Sequence, residues 1–112
     1  MRILFDGQRL TERMTGVGYY TDRVLRAMLR LDREHEWVIL CQAGNALYAE
    51  KVIAGHGAAR LVVLREPVAL DYRVQQDMLS HLVPQQGIHL YFSPIFMAAP
   101  KEVCPSVSVV HD

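Results

Sequence analysis

Trp37-Val38-Ile39-Leu40-Cys41 is apolar at every position. A strand with one face in water alternates apolar and polar residues. A run with no polar position fits a strand covered on both faces, as in a parallel sheet flanked by helices. Upstream, the polar run Asp32–Glu36 separates this strand from a predicted helix over Gly16–Leu31. Val17, Tyr20, Val24, Met28 and Leu31 recur there at helical spacing, and Thr15 is placed to cap the helix. Before it, Arg2-Ile3-Leu4-Phe5 reads as a first strand stopped by Asp6-Gly7, with Gln8–Thr15 as a polar loop. Downstream, Asn45–Ala54 predicts a short helix closed by Gly55-His56-Gly57, and Leu61-Val62-Val63-Leu64 a third strand. Leu70–Val83 predicts a helix, with Leu70, Val74, Met78 and Leu82 as its apolar stripe and Gly87 beyond its end. His89–Phe92 is a fourth strand stopped by Ser93-Pro94, Ile95–Pro105 a loop, and Ser106–Val110 a fifth strand. Strands alternating with helices predict an α/β fold: a Rossmann-like parallel sheet of about five strands, helices on both faces and right-handed crossovers.

The chain has 112 residues, enough for one domain. Apolar residues make up 51%, a globular rather than disordered composition. Twelve Lys and Arg balance 12 Asp and Glu. The basic surplus of a nucleic-acid binder is therefore missing, and no nucleic-acid partner is expected. Cys41 and Cys104 stand singly in apolar surroundings and read as reduced core residues. His35, His56, His81 and His89 are scattered, without metal-ligand spacing to a Cys or a second His, so no metal and no cofactor are expected. The apolar start is too short for a signal peptide, and no stretch reaches the roughly 18 apolar residues of a membrane span. These features predict a cytoplasmic protein.

Three places carry candidate chemistry, each with a plain structural alternative. Thr15-Gly16-Val17-Gly18 follows the first strand and opens a helix. Backbone N–H groups and the positive helix end there suit an anion, and glycine admits close approach. The alternative is a turn with tight helix-to-strand packing. A dinucleotide fingerprint would need a third glycine where Thr21 stands, and an acidic residue where Ala43-Gly44 follows the second strand. Asp6 closes the first strand at the edge where ligands bind in such folds, and either orients a ligand hydroxyl or bonds its own loop. His111-Asp112 ends the last strand on the same edge, as ligand contacts or as a polar strand end. No nucleophile elbow and no paired catalytic carboxylates are present.

Taken in order, several segments resemble glycosyltransferase family 4 (group 1), many of whose members are mannosyl- or rhamnosyl-type transferases. They are Arg2-Ile3-Leu4-Phe5-Asp6-Gly7-Gln8-Arg9, Thr15-Gly16-Val17-Gly18-Tyr19-Tyr20-Thr21, Leu31-Asp32-Arg33-Glu34-His35-Glu36-Trp37, Leu90-Tyr91-Phe92-Ser93-Pro94 and Cys104-Pro105-Ser106-Val107-Ser108-Val109-Val110-His111-Asp112. The resemblance covers essentially the whole chain and implies the N-terminal half of a GT-B fold, in which two Rossmann-like domains face a cleft. Residues 1–112 would be the acceptor-side domain, and the nucleotide-sugar-binding domain, with its paired-glutamate motif, would lie beyond them. The resemblance further implies retaining, metal-independent transfer of a sugar from a nucleotide-sugar donor to a glycan or lipid-linked acceptor. Gly16, Val17 and Gly18 would lie near the donor phosphates, together with Asp6 and Asp112. His111 would approach the donor sugar as the catalytic residue. Two departures stand out: Phe92 occupies the place where relatives often carry His before Ser-Pro, and His89 the place of an early Asp.

The chain by itself is expected to be inactive as a transferase. A competing expectation is a stand-alone Rossmann-like binding or interaction module without catalysis, whose uncovered cleft face pairs with a second copy. Lipid-linked acceptors also imply peripheral contact with the inner membrane surface.

Overall fold

Residues 1–11, 16–66, 68–69, 71–95 and 97–109 are described by a computed structural model of the chain. Its elements run β1 (Arg2–Asp6), α1 (Gly16–Leu31), β2 (Glu36–Gln42), a 3-10 turn (Ala43–Asn45), α2 (Ala46–Ile53), β3 (Ala59–Leu64), α3 (Tyr72–Gln86), β4 (Leu90–Ser93) and β5 (Ser106–Ser108). The five strands form one parallel sheet in the order β3-β2-β1-β4-β5. The fold is α/β and Rossmann-like, as the alternation of apolar runs and helical stripes predicts.

Strand pleating sorts the core into two layers. Ile3, Phe5, Trp37, Ile39, Cys41 and Phe92 pack with Leu25 and Leu29 of α1 and Ala49 and Val52 of α2. Leu4, Val38, Leu40 and Tyr91 pack with Leu79, Leu82 and Val83 of α3. Phe5 pairs with Ile39 on one side and Phe92 on the other, and the Phe5 and Phe92 rings stack with centroids 5.4 Å apart. The chain steps outward from β1 to β3 and then returns through α3 to set β4 on the free side of β1. A right-handed crossover changes face when the direction of travel reverses. That is why α3 covers the second face. No helix links β4 to β5 among the described residues, and Met97, Ala99, Val103 and Cys104 of that connection complete the α3 layer. Both cysteines are free and buried, one in each layer.

The helices differ from expectation in which face they bury. In α1 the buried positions are Gly18, Thr21, Asp22, Leu25 and Leu29, while Leu31 is 79% exposed. The predicted stripe of Val17, Tyr20, Val24 and Met28 lies at the flank. Apolarity misassigned the face because Thr21 and Asp22 bury with partners. Thr21 Oγ1 donates to Val17 O at 2.7 Å, and Asp22 Oδ1 accepts from Tyr48 Oη at 2.8 Å, tying α1 to α2. In α3 the buried set is Gln75, Leu79, Leu82 and Val83, and Val74 is exposed. This helix starts at Tyr72, just after the predicted Leu70, because the Asp71 carboxylate caps it, accepting from Arg73 N and Val74 N at 2.9 and 3.3 Å. Gly87 ends it in the left-handed region, φ 65°, where a side chain would be strained. Thr15, Leu70 and Val110, the remaining predicted cap, stripe and strand residues, lie outside the described residues. Among the described residues no helix is long and apolar enough to cross a membrane.

Candidate functional site at the carboxyl ends of β1 and β4

β1 and β4 are neighbours, yet the chain leaves them toward opposite faces. Leu10, after β1, is fully buried in the α1/α2 layer. Met97 and Ala99, after β4, belong to the α3 layer. Diverging connections open a crevice at the carboxyl ends of such a strand pair, the usual ligand position in an open parallel sheet.

The residues after β1 make a tight turn, with Leu10 N donating to Gly7 O at 2.9 Å. Gly7 is required by close approach. A Cβ there would stand 2.8 Å from the Leu40 carbonyl oxygen and 3.0 Å from Ile39 Cγ2. Gln8 turns into the α3 layer and Leu10 into the opposite one, so both flanks of Arg9 are anchored.

A buried polar network fills the β1 end. Asp6 and Gln8 are 3% and 7% exposed, and Gln75 and Tyr91 1% and 0%. The Asp6 carboxylate accepts from Gln8 N at 3.1 Å, from Gln8 Nε2 at 3.1 and 3.2 Å, and from the Tyr91 hydroxyl. Gln8 Nε2 also donates to Gln75 Oε1 at 2.7 Å, and Gln8 Oε1 accepts from Gln42 Nε2 at 3.2 Å. Gln75 Nε2 in turn donates to Ala69 O at 2.9 Å. One chain of amides thus joins the carboxyl ends of β1 and β2 to α3. Burial pushes the Asp6 carboxyl above the ordinary carboxylate range, only partly opposed by its donors and by the positive charge of Arg9. Burial, reinforced by the Asp6 charge, holds the Tyr91 phenol far above its usual value, so it remains a donor.

Of the sequence-predicted site residues, Gly16 is exposed, and a Cβ there would meet nothing within 4 Å. Packing among the described residues does not require glycine at this position. Gly18 is the opposite case, buried on the sheet-facing side of α1. Val17 is half-buried and its carbonyl is taken by Thr21. Asp6 lies at the end of β1, the same edge from which α1 departs, but its oxygens are occupied by Tyr91 and Gln8. His111 and Asp112 lie outside the described residues. Gln8, Arg9, Gln42, Gln75 and Tyr91 were missed by sequence reasoning. The available signal was a glutamine inside the apolar helix 70–83 and a tyrosine inside an apolar strand, two polar groups that must find partners once buried.

A half-open hollow lies at the opposite edge. A cavity of about 210 Å³ is lined by Asp32, Arg33, His35, Trp37 and His56. Its polar groups answer one another. Asp32 accepts from Trp37 Nε1 at 3.0 Å and pairs with His35 Nδ1 at 2.9 Å, and Arg33 Nη1 lies 3.3 Å from His56 Nδ1. Among the described residues no group of three His, Cys, Asp or Glu is arranged to hold a metal ion. Compared with family models, curated proteins and solved structures, the chain matches none.

Proposed function

We propose that the crevice binds a nucleotide-sugar and its acceptor, and that this chain forms the acceptor-side domain of a retaining glycosyltransferase of the GT-B type. The observation that supports this function most is Gly16. It opens the helix that leaves this edge, it is exposed, and no atom among the described residues would meet a side chain there. A ligand approaching the backbone is a sufficient reason for it. The ordered sequence resemblance to family 4 glycosyltransferases points the same way.

In the proposed reaction the bond between the anomeric carbon and the diphosphate oxygen breaks, the diphosphate departs, and an acceptor hydroxyl bonds the anomeric carbon on the same face. Charge grows on the leaving diphosphate. The first amides of α1, at the positive end of its dipole, are suited to stabilise it without reorganising. His111 is assigned the contact with the donor sugar. Asp6, already occupied, acts as a positioning residue: through Gln8 it fixes the turn on which the crevice mouth is built. A second Rossmann-like domain with paired glutamates would hold the nucleotide.

The test is a transfer assay on the native gene product with a panel of nucleoside-diphosphate sugars and lipid-linked acceptors, beside its Gly16→Val variant. Turnover with at least one donor, lost in G16V while the fold survives, is the expected result. An absence of turnover across the panel, or an unimpaired G16V, would remove the support. The isolated 112-residue chain is expected to turn over nothing.

A further inference from the structure

β3 is bonded on one side only. Trp37 of β2 stands beside Ala59 and donates its N–H to Ala58 O at 2.9 Å. The parallel register then sets Ile39 and Cys41 on the backbone groups of Arg60, Val62 and Leu64. The N–H and C=O groups of Leu61 and Val63 therefore point away from β2. β3 is the last strand on that side of the sheet, and no hydrogen bond among the described residues takes these groups. Val63 is 38% exposed. Proline or a β-bulge often blunts such an edge, and β3 has neither.

Charge indicates what fits there. Arg60 and Glu66 are exposed, and neither has an ion-pair partner among the described residues. Two copies of β3 related by a two-fold axis pair antiparallel. Outward groups must meet outward groups, so the axis passes through Leu61, Val62 or Val63. The first two choices set Arg60 opposite Val62 or Leu64. An axis at Val63 sets Arg60 opposite Glu66 of the other copy, twice over, at a site where cross-strand side chains come closest. Val63 then bonds its own counterpart, and Leu61 bonds Arg65. Arg65 and Glu66 form a bend in the single chain and would extend on pairing. Glu66 precedes a proline in sequence, a place that favours extended backbone.

We propose that the free edge of β3 is a dimer interface, where a second copy of this chain adds its own β3 antiparallel about a two-fold axis at Val63. The two sheets join into one, and the β3 edge is closed. β2 separates this interface from β1, so it does not depend on the function proposed for the crevice.

The experiment is sedimentation equilibrium of the 112-residue chain over a concentration series, with amide hydrogen exchange measured at both ends of it. A monomer–dimer equilibrium is expected, in which the Leu61 and Val63 amides gain more protection with concentration than those of Val62 and Leu64, already bonded to β2. Arg60→Glu and Glu66→Arg should each weaken the dimer about tenfold, because each sets like charges opposite one another at two places, and the double variant should restore it. Val63→Pro removes an outward donor that β2 does not use and should leave a folded monomer. A chain that stays monomeric across the series would overturn the proposal. So would a dimer that V63P leaves intact, or one in which Leu61 and Val63 gain no more than Val62 and Leu64, since the second copy then sits elsewhere. Charge variants without effect, or without rescue in the double variant, would overturn the axis at Val63. The exchange pattern of the parent chain decides the edge even where V63P does not fold.

Discussion

The two edges of the sheet are built on different terms. At the amino edge, polar groups sit in reach of water and pair locally. Arg2 Nε bonds Glu36 at 2.7 Å with both side chains partly exposed, and Asp32 gathers Glu34 N, His35 and Trp37 around one carboxylate. At the carboxyl edge, Asp6, Gln8, Gln75 and Tyr91 are buried, and a guanidinium nitrogen is left without a partner. Exposed pairs contribute little and tolerate change, whereas a buried network is rigid and intolerant of losing a member. The amino edge finishes the fold, and the carboxyl edge holds a geometry.

The largest effect should come from Gly7→Ala. A methyl group against the Leu40 carbonyl oxygen has nowhere to move, and a loss of about 3 kcal/mol or more is expected from the urea midpoint. Next is Gln75→Leu, which takes one partner from each end of the Gln8 amide and the side-chain donor from Ala69 O, and should cost about 1–3 kcal/mol. At the amino edge Glu36→Gln should move the midpoint only slightly, because an exposed pair contributes little. A comparable loss from E36Q would erase the distinction between the edges. Smallest should be Gly16→Ala, within about 0.5 kcal/mol in stability, since the added methyl meets nothing among the described residues.

The edges should also respond to pH with opposite signs. The folded pKa of Asp6 is raised by burial. Its contribution is fully present below the ordinary carboxylate range and is lost as pH rises through the folded value. Glu36 is held low by its hydrogen bond from Arg2. In Asp32, burial pushes upward but is outweighed by hydrogen bonds from Glu34, His35 and Trp37. Their contributions are present above the ordinary range and are lost as pH falls through the lowered values. Urea midpoints followed from about pH 3 to about pH 8 should therefore decline less toward high pH in Asp6→Asn, and less toward low pH in Asp32→Asn. Identical slopes in D6N and the parent would mean that Asp6 titrates normally.

The fold was legible because its elements announce themselves by period. Trp37–Cys41 cannot be a half-exposed strand, and Gly87 stops a helix in any context. The helix faces were less legible because Thr21, Asp22 and Gln75 are polar by type and buried by partnership. Asp22 is inside because Tyr48 arrives from α2, and Gln75 because Gln8 arrives from β1, 67 residues away in sequence. No local pattern contains such partners. At the candidate site, Asp6 and the glycine turn could be placed on the correct edge from chain order alone. Tyr91 and Gln42 could not, since their roles depend on which strands become neighbours. Phe92 shows the same dependence. It is stacked on Phe5, a residue of β1 brought beside it only by strand pairing.

The most direct test of the central claim maps the amide shifts of the labelled chain on titration with a panel of nucleoside-diphosphate sugars. The account predicts changes confined to the β1 end and its turn at residues 6–9, the start of α1 at residues 16–18, and the β4 end at residues 91–93. Changes centred instead on Asp32, His35 and His56, or a spectrum that no member of the panel alters, would contradict it.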